Sequence, residues 1–156
     1  MKIRKARLAD VPEILRLWKE LFRYHKKFKS VQPFVKMRPD APKIMDRYIR
    51  RSIRSRYSLV LVAEEGKLAG YCITHIKKNI PVYSESKLGY ICDIYVQKKN
   101  RGKGISSGFK KEVVAWLKKN KIKQMEIAIW WGNESARKVY RKWGLREFDL
   151  RLRKRL

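Results

Sequence analysis

Residues suited to holding an anion stand together at Arg101–Ser107, which reads RGKGISS. An apolar run ends just before this segment and helical spacing begins within it, so Gly102 and Gly104 lie where a strand turns into a helix. Glycine lets an anion approach the backbone, and the N–H groups that open a helix lack partners and carry the positive end of its dipole. The segment lacks the GxxxxGK[ST] spacing of a P-loop. It also differs from GxGxxG, because Ser107 stands where the third glycine would be. The segment therefore predicts a pyrophosphate-binding turn, and a plain strand-to-helix turn is the alternative.

A second segment, residues 133–145, combines an amide, a small residue and a phenol in the run NESARKVYRKWGL. Ala136 and Tyr140 are four residues apart and therefore share one face of the helix that Asn133 would begin. The small Ala136 side chain leaves room for a ligand beside that face, and Tyr140 presents a hydroxyl at the end of the gap. The alternative is structural, with Asn133 as a helix cap and Tyr140 as a core aromatic residue.

The composition fits one small soluble domain. The chain has 156 residues, which predicts a single domain over residues 1–156, and 44% of them are hydrophobic, which argues against disorder. No apolar run approaches the roughly 20 residues of a membrane span and no signal peptide is recognisable, so we expect a cytoplasmic protein without membrane contact. Cys72 and Cys92 are too few for a disulfide framework or a zinc site, so no metal is expected.

The formal net charge of +27 indicates polyanionic partners. Lys and Arg number 41 against 14 Asp and Glu, and the basic residues are spread evenly along the chain. Such a surface attracts an acidic protein, RNA or the ribosome, although a merely well-solvated surface has the same composition. The sequence leaves the oligomeric state, including a homodimer, open.

The pattern of apolar residues predicts an α/β (α+β) domain. The expected architecture is a mixed, mostly antiparallel central sheet of about six to seven strands with helices on both faces. Strands are expected at residues 2–8, 58–64, 68–76, 88–96, 123–129 and 145–152. Helices are expected from Asp10 to about Lys27 and over residues 43–56, 105–120 and 133–143.

Taken together, the two segments resemble the GNAT superfamily of acyl-CoA-dependent N-acetyltransferases. The family pattern Arg/Gln-x-x-Gly-x-Gly/Ala is matched from Arg101 to Ser106, where only Ser106 departs from it. The family's second pattern, Asn-x-x-Ala-x-x-x-Tyr-x-x-x-Gly-Phe/Leu, is matched from Asn133 to Leu145. The resemblance is strong over residues 87–152 and implies the acyl-CoA N-acyltransferase fold, acetyl-CoA as the cofactor and an amine as the acceptor.

The resemblance also implies roles for individual residues. The backbone of residues 94–96 would pair with the pantetheine arm and the thioester, and the N–H groups of Gly102–Ser107 would hold the pyrophosphate. Asn133 would hydrogen-bond the cofactor arm, and Tyr140 would protonate the leaving thiolate. The cofactor-binding residues implied in this way are Ile94, Tyr95, Val96, Arg101, Gly102, Lys103, Gly104, Ile105, Ser106, Ser107, Asn133, Ala136 and Tyr140.

The general base is where the chain departs from the family pattern. Many relatives place a glutamate on the fifth strand at the position of Ala128, whereas the diamine acetyltransferases place Glu-Asp at the positions of Cys92 and Asp93. Through this local likeness Asp93 is the predicted catalytic base, acting through a water, and Glu126 is a second candidate. The alternative for Asp93 is a strand carboxylate held by a neighbouring Lys or Arg.

The predicted activity is transfer of an acetyl group from acetyl-CoA to a primary amine by direct attack on the thioester. A protein N-terminus, a lysine or a small amine would be the acceptor, while the scarcity of acidic residues argues against a polyamine. The alternative is a catalytically silent domain of the same fold that binds RNA or the ribosome through its basic surface. Asn133 and Tyr140 favour the enzyme, whereas the charge and Ala128 favour the alternative.

Overall fold

A five-stranded sheet lies at the centre of the computed structural model, which describes residues 1–156. The strands are β1 (Lys2–Lys5), β2 (Ser58–Glu65), β3 (Lys67–Lys78), β4 (Lys87–Val96) and β5 (Met125–Ile127). The helices are α1 (Val11–His25), α2 (Ala41–Arg54), α3 (Ile105–Lys119) and α4 (Glu134–Lys142). Short 3₁₀ turns lie at Leu8–Asp10 and Lys98–Asn100. The four helices fall where the sequence predicts them, within a few residues at their ends.

The sheet has five strands rather than the six to seven that the sequence predicts. Strands β1 to β4 are antiparallel neighbours in chain order and β5 is parallel to β4, so the expected mixed, mostly antiparallel sheet is confirmed. The missing strand is the one expected at residues 145–152, where the chain is irregular and Phe148 and Leu152 are 81% and 90% exposed. Its alternating pattern lacks a partner, because β5 is only three residues long and offers little edge for further pairing. β1 is also shorter than expected.

Helices cover both faces of the sheet, as expected, and this explains the continuous apolar run of β2. Val62 packs on the face covered by α1 and α2, whereas the neighbouring Leu61 packs on the face covered by α3. α1 contributes one apolar stripe with a spacing of three to four residues, formed by Val11, Ile14, Leu17 and Leu21. No helix is both long enough and apolar enough to cross a membrane.

The sheet opens between β4 and β5. The parallel pairing ends at Ile91 and Ile127, while β4 continues to Val96 beside β3 alone. A β-bulge at Cys92, which has no partner on β3, bends the strand just after the pairing stops. The end of β4 therefore borders a gap that faces the segment after β5.

Candidate functional site

The turn between β4 and α3 presents a row of free backbone N–H groups. Gly102 and Gly104 have φ angles of +80° and +77°, in the left-handed region that strains other residues. The N–H groups of Gly102–Ser107 have no acceptor in the chain, and the first helical bond runs from the Gly108 N–H to the Gly104 carbonyl at 3.0 Å. A Cβ on either glycine would meet no atom within 4 Å, so the turn borders open space. Free N–H groups at a helix start form an anion-binding concavity, which fits the predicted pyrophosphate-binding turn.

The two basic side chains of this turn reach in different directions. The Arg101 Nε donates to the Val96 carbonyl at 3.0 Å, and its guanidinium lies 5.2 Å from the ring centre of Tyr24. The exposed Lys103 ammonium lies 3.5 Å from a carboxylate oxygen of Glu65. Arg101 therefore stands at the end of β4 beside the gap, whereas Lys103 reaches towards the end of β2.

At the end of β4, the backbone groups of every second residue point into the gap. The Gln97 N–H donates to the Ala69 carbonyl at 2.9 Å, so Tyr95, two residues earlier, also directs its backbone towards β3. Ile94 and Val96 lie between these positions, and their backbone groups face the open side of β4. Of the three residues expected to pair with pantetheine, Ile94 and Val96 thus have N–H groups available, while the Tyr95 backbone is already paired.

Asn133 begins α4 and binds its own helix through its side-chain oxygen. The Asn133 Oδ1 accepts hydrogen bonds from the Ala136 N–H at 3.3 Å and from the Ser135 hydroxyl at 3.1 Å. The Tyr24 hydroxyl lies 3.5 Å from the same oxygen, so the end of α1 is tied to the start of α4. The side-chain Nδ2 of Asn133 has no partner. Helix capping, one of the two alternatives that the sequence poses, therefore occupies only the side-chain oxygen and leaves Nδ2 available to a ligand.

Tyr140 lies further along α4 with an unpartnered hydroxyl. Its ring packs against Trp143, with the ring centres 5.2 Å apart. Burial raises the pKa of the Tyr140 phenol, and the neighbouring Cys72 raises it further. Because Cys72 pairs with Ile94 across the sheet, Tyr140 lies beside the open end of β4. A phenol with a raised pKa keeps its proton at neutral pH, as a general acid must before it reacts.

The carboxyl group of Asp93 has neither an ion pair nor a hydrogen bond. Asp93 pairs with Ile73 of β3 and therefore faces α1 and α2. Although solvent reaches part of the residue, burial raises the pKa of its carboxyl group to about 7. The alternative of a carboxylate held by Lys or Arg is therefore not what the structure shows. A carboxyl group that titrates near neutrality is suited to general-base catalysis.

Glu126, the second candidate base, is neutralised by a lysine. Its carboxylate accepts a hydrogen bond from the Lys77 ammonium in a close ion pair. Its strand position pairs with Tyr90, ahead of the bulge, whereas Asp93 lies beyond it. Ala128 follows β5 and offers no titratable group. Of the two carboxyl groups, Asp93 is the one that is unpaired and beside the gap.

Two tyrosines that no sequence motif singles out lie near Asp93. Tyr71 of β3 is fully buried, and its hydroxyl has no hydrogen-bond partner. Tyr48 of α2 shares a 2.6 Å hydrogen bond with His75 Nε2, and the His75 Nδ1 lies 2.6 Å from the Ser58 hydroxyl. Burial raises the pKa of both phenols, and the charge of Asp93 raises it further. These residues meet through strand register and helix packing, which no spacing in the sequence reveals.

Aromatic side chains join the end of α1 to the segment before α4. The Trp130 Nε1 donates to His25 Nδ1 at 3.2 Å, and the rings of Tyr24 and Phe28 pack edge to face at 5.4 Å. Burial lowers the pKa of His25 to about 4, so its ring is neutral at pH 7. These contacts form a wall next to Asn133.

Comparison with known proteins is consistent with this geometry. The family model described as "Acetyltransferase (GNAT) family" matches residues 14–145. No curated protein matches the chain significantly. Among solved structures, a tetramutant of the BH1408 protein from Bacillus halodurans is 23% identical, with a TM-score of 0.86 and 100% of both chains covered.

Two further solved structures share the fold. A predicted acetyltransferase from Clostridium acetobutylicum, solved with acetyl-CoA, is 21% identical with a TM-score of 0.79, and the match covers 99% of this chain and 95% of that one. The aminoglycoside 6'-N-acetyltransferase AAC(6')-Ig from Acinetobacter haemolyticus is 16% identical with a TM-score of 0.76, covering 100% of this chain and 99% of that one. At these identities the likeness establishes a common fold.

Proposed function

Because the chain belongs to the Acetyltransferase (GNAT) family, we propose that it transfers an acetyl group from acetyl-CoA to a primary amine, which attacks the thioester directly. The acceptor class in this proposal is a protein N-terminus, a lysine or a small amine, and residues 1–156 act as one domain. The family uses acetyl-CoA as its co-substrate, and one protein of the same fold has been solved with it. The observation that carries the proposal is the row of unpartnered N–H groups at Gly102–Ser107, beside the gap that opens after Ile91.

The residues around the gap fit acetyl-CoA from its diphosphate to its thioester. The N–H groups of Gly102–Ser107 would hold the diphosphate, because no carbonyl in the chain competes for them. Ile94 and Val96 would pair with the amides of the pantetheine arm, and the Asn133 Nδ2 would donate a further hydrogen bond. Ala136 keeps the adjoining face of α4 open. The N–H groups of Ile94 and Val96 and the Asn133 Nδ2 have no partner in the chain, whereas the Val96 carbonyl already accepts from Arg101.

Acetyl-CoA, when bound, supplies an acetyl thioester for nucleophilic attack. Asp93 would take the proton that a protonated amine must lose, and its pKa of about 7 leaves a large fraction ionised at neutral pH. A backbone N–H at the open end of β4 would stabilise the negative charge that develops on the carbonyl oxygen. Tyr140 would donate its proton to the departing sulfur.

Cofactor binding is tested by thermal shift with acetyl-CoA, and ADP is the control. A ligand at a hundredfold excess over its Kd stabilises the folded chain by about 2.7 kcal/mol. We expect a rise in the unfolding midpoint that exceeds the rise with ADP and persists in moderate salt, since a basic protein also attracts nucleotides through charge alone. Equal shifts with both ligands would contradict the proposal.

The reaction is tested by measuring release of the coenzyme A thiol with a panel of amines. Peptides with free N-termini, lysine peptides with blocked N-termini and small amines distinguish the three acceptor classes. We expect thiol release with at least one class, matched by acetylation of that amine in mass spectra. No release with any class, at an acetyl-CoA concentration that saturates the thermal shift, would contradict catalysis and favour the silent alternative.

A second candidate function is RNA binding through α2. A shallow concave surface of about 420 Å³ is lined by Arg47, Arg50, Arg51, Arg54 and Ser55. Only Arg50 among these arginines has an acidic partner, Asp46. The concave surface contains no hydrophobic residue, whereas the core of a protein interface is apolar, so its chemistry favours phosphates.

Fluorescence anisotropy with a single-stranded RNA tests this second function. The test variant replaces with Gln the three unpaired arginines, Arg47, Arg51 and Arg54. The matched control replaces with Gln three exposed lysines on the opposite face of the sheet, Lys111, Lys118 and Lys119. Each lost phosphate contact should lower the slope of log K against log salt by about 0.7. Equal effects of the two triple variants would contradict a site on α2.

A further inference from the structure

One buried hydroxyl in the chain lacks a hydrogen-bond partner, and it belongs to Tyr71. Tyr71 lies in the middle of β3 and is 0% exposed. All other buried side-chain nitrogen and oxygen atoms have a partner. A buried polar group without a partner destabilises the fold unless a water or a ligand satisfies it. The Tyr71 hydroxyl therefore marks a place that a polar molecule would occupy.

The Tyr71 hydroxyl and the Asp93 carboxyl lie on the same face of the sheet. The register pairs Tyr71 with Tyr95 and Ile73 with Asp93, so Tyr71 and Asp93 are diagonal neighbours on β3 and β4. The two groups form no direct hydrogen bond, yet the negative charge of Asp93 adds to the effect of burial in raising the pKa of Tyr71. The two side chains are thus neighbours, and neither has a hydrogen-bond partner within the chain.

No cation faces Asp93 to stabilise its ionised form. Burial raises the pKa of each titratable group around it, so all of them are neutral at pH 7: Tyr48 of α2, Tyr71 and Cys72 of β3, and Cys92 of β4. From α1, the Glu20 carboxylate is occupied by the Tyr95 hydroxyl and the Gln97 amide. The Tyr48 hydroxyl is bonded to His75. Among the hydroxyl groups around Asp93, that of Tyr71 is the one without a hydrogen-bond partner.

We propose that Tyr71 is a positioning residue that, together with Asp93, holds the water through which the acceptor amine loses its proton. This inference rests on the proposed function, in which Asp93 is the base. The Tyr71 hydroxyl donates to the water oxygen, and the water donates to a carboxylate oxygen of Asp93. When the protonated amine reacts, an N–H bond breaks, the water accepts that proton and passes one of its own to Asp93, and Tyr71 keeps its proton throughout.

Tyr71→Phe removes the hydroxyl and keeps the ring. The lost hydrogen bond makes the water a poorer donor to Asp93, so the acid limb of the kcat/KM profile for the amine should move to higher pH. We expect kcat/KM for the amine to fall about tenfold while KM for acetyl-CoA changes by less than about twofold. The thermal midpoint should stay close to that of the wild type, because the variant keeps the ring that packs in the core. Tyr90→Phe, which removes a hydroxyl from β4 ahead of the bulge, is the control and should leave the profile unchanged.

A measurement without turnover separates this inference from the proposed function. The carboxyl carbon of Asp93, followed by ¹³C NMR as pH is varied, reports its titration directly, and its pKa should be higher in Tyr71→Phe than in the wild type. In an Asp93→Asn background, Tyr71→Phe should change kcat/KM by less than about twofold, because the two groups act through the same water.

The outcomes are distinct. If amines are acetylated but Tyr71→Phe changes neither the Asp93 titration nor kcat/KM, the inference is overturned and the proposed function stands. If no amine is acetylated but the pKa of Asp93 rises in Tyr71→Phe, the coupling stands and the proposed function fails. A Tyr71→Phe chain that does not fold also overturns the inference, because the hydroxyl would then be needed for folding.

Discussion

Asp93 is partly buried and has no partner, and this combination explains its chemistry. Burial without a neighbouring cation disfavours the ionised carboxylate, which is why the pKa rises to about 7. The pKa of an aspartate in an unfolded chain is about 3.9, so the folded state binds this proton more tightly. Folding therefore becomes less favourable as the pH rises from about 4 to about 7, and the loss is complete above that range. Such a group is more typical of a functional site than of a structural one.

Asp93→Asn should show separately what the Asp93 carboxylate does to stability and what it does to turnover. At pH 8 we expect the variant to have the higher free energy of unfolding, by up to about 4 kcal/mol, because it removes a buried charge. Near pH 4 the two proteins should have nearly equal stability, while at all pH values turnover should be lower in the variant. Urea unfolding at both pH values, with steady-state kinetics, measures this. A wild type that is more stable than Asp93→Asn at pH 8 would show that the carboxylate has a stabilising partner.

Tyr140→Phe tests the proton donor. The hydroxyl makes no hydrogen bond within the chain, so we expect the free energy of unfolding to change by less than about 0.5 kcal/mol. If Tyr140 protonates the leaving thiolate, kcat should fall by about 10² or more, while the Kd of acetyl-CoA measured by calorimetry stays within about twofold. Wild-type turnover in this variant would remove Tyr140 from the mechanism.

Among the structural elements, the end of β4 and the turn that follows it build the site together. The bulge at Cys92 bends β4 away from β5, so backbone groups at the end of the strand stay unpaired. The turn at Gly102–Ser107 then presents its N–H groups beside the same gap. One continuous piece of chain thus carries both the open strand edge and the turn that we propose to hold the diphosphate.

Gly104→Ala tests this turn. Alanine at the Gly104 φ of +77° is strained by about 1–2 kcal/mol, and its Cβ would enter the open space beside the N–H groups. We expect lower stability and an approximately tenfold higher Kd for acetyl-CoA. Gly66→Ala is the matched control, because Gly66 has a φ of +71° and equally open surroundings in the turn between β2 and β3. It should lose similar stability and keep its affinity, and equal losses of affinity in both variants would argue against a binding role for the turn.

Over the whole molecule, the net charge of +27 acts on every anionic ligand. The basic residues are spread along the whole chain, and their summed field raises the local concentration of a phosphate-bearing co-substrate. Salt screens this attraction over a distance of about 10 Å at 0.1 M.

The KM for acetyl-CoA should therefore rise several-fold between about 50 and 500 mM salt, while kcat stays nearly constant. Acetyl-pantetheine, which keeps the thioester and lacks the phosphates, is the control, and its KM should depend little on salt. Identical salt dependence for the two thioesters, measured by thiol release, would show that the surface charge does not act on the phosphates.

Local patterns in the sequence were enough to predict the helices, the glycine turn and the start of α4. A helix is specified by apolar spacing and by residues at its ends, and a left-handed turn is specified by its glycines, so neighbours in the chain carry this information. The strand expected at residues 145–152 was wrong because alternation specifies two faces of a strand but cannot supply a partner for it.

The state of the site residues was decided by tertiary structure. The family pattern pointed to Asp93. Whether a Lys or Arg forms an ion pair with its carboxylate, however, depends on which side chains pack around β4. The unpartnered Tyr71 hydroxyl was invisible in the sequence, because the strand register and the bulge at Cys92 bring it beside Asp93. Hydrogen-bond partners, burial and pKa are properties of residues distant in the chain that meet in space, so they follow from the packing of the folded chain and not from local spacing.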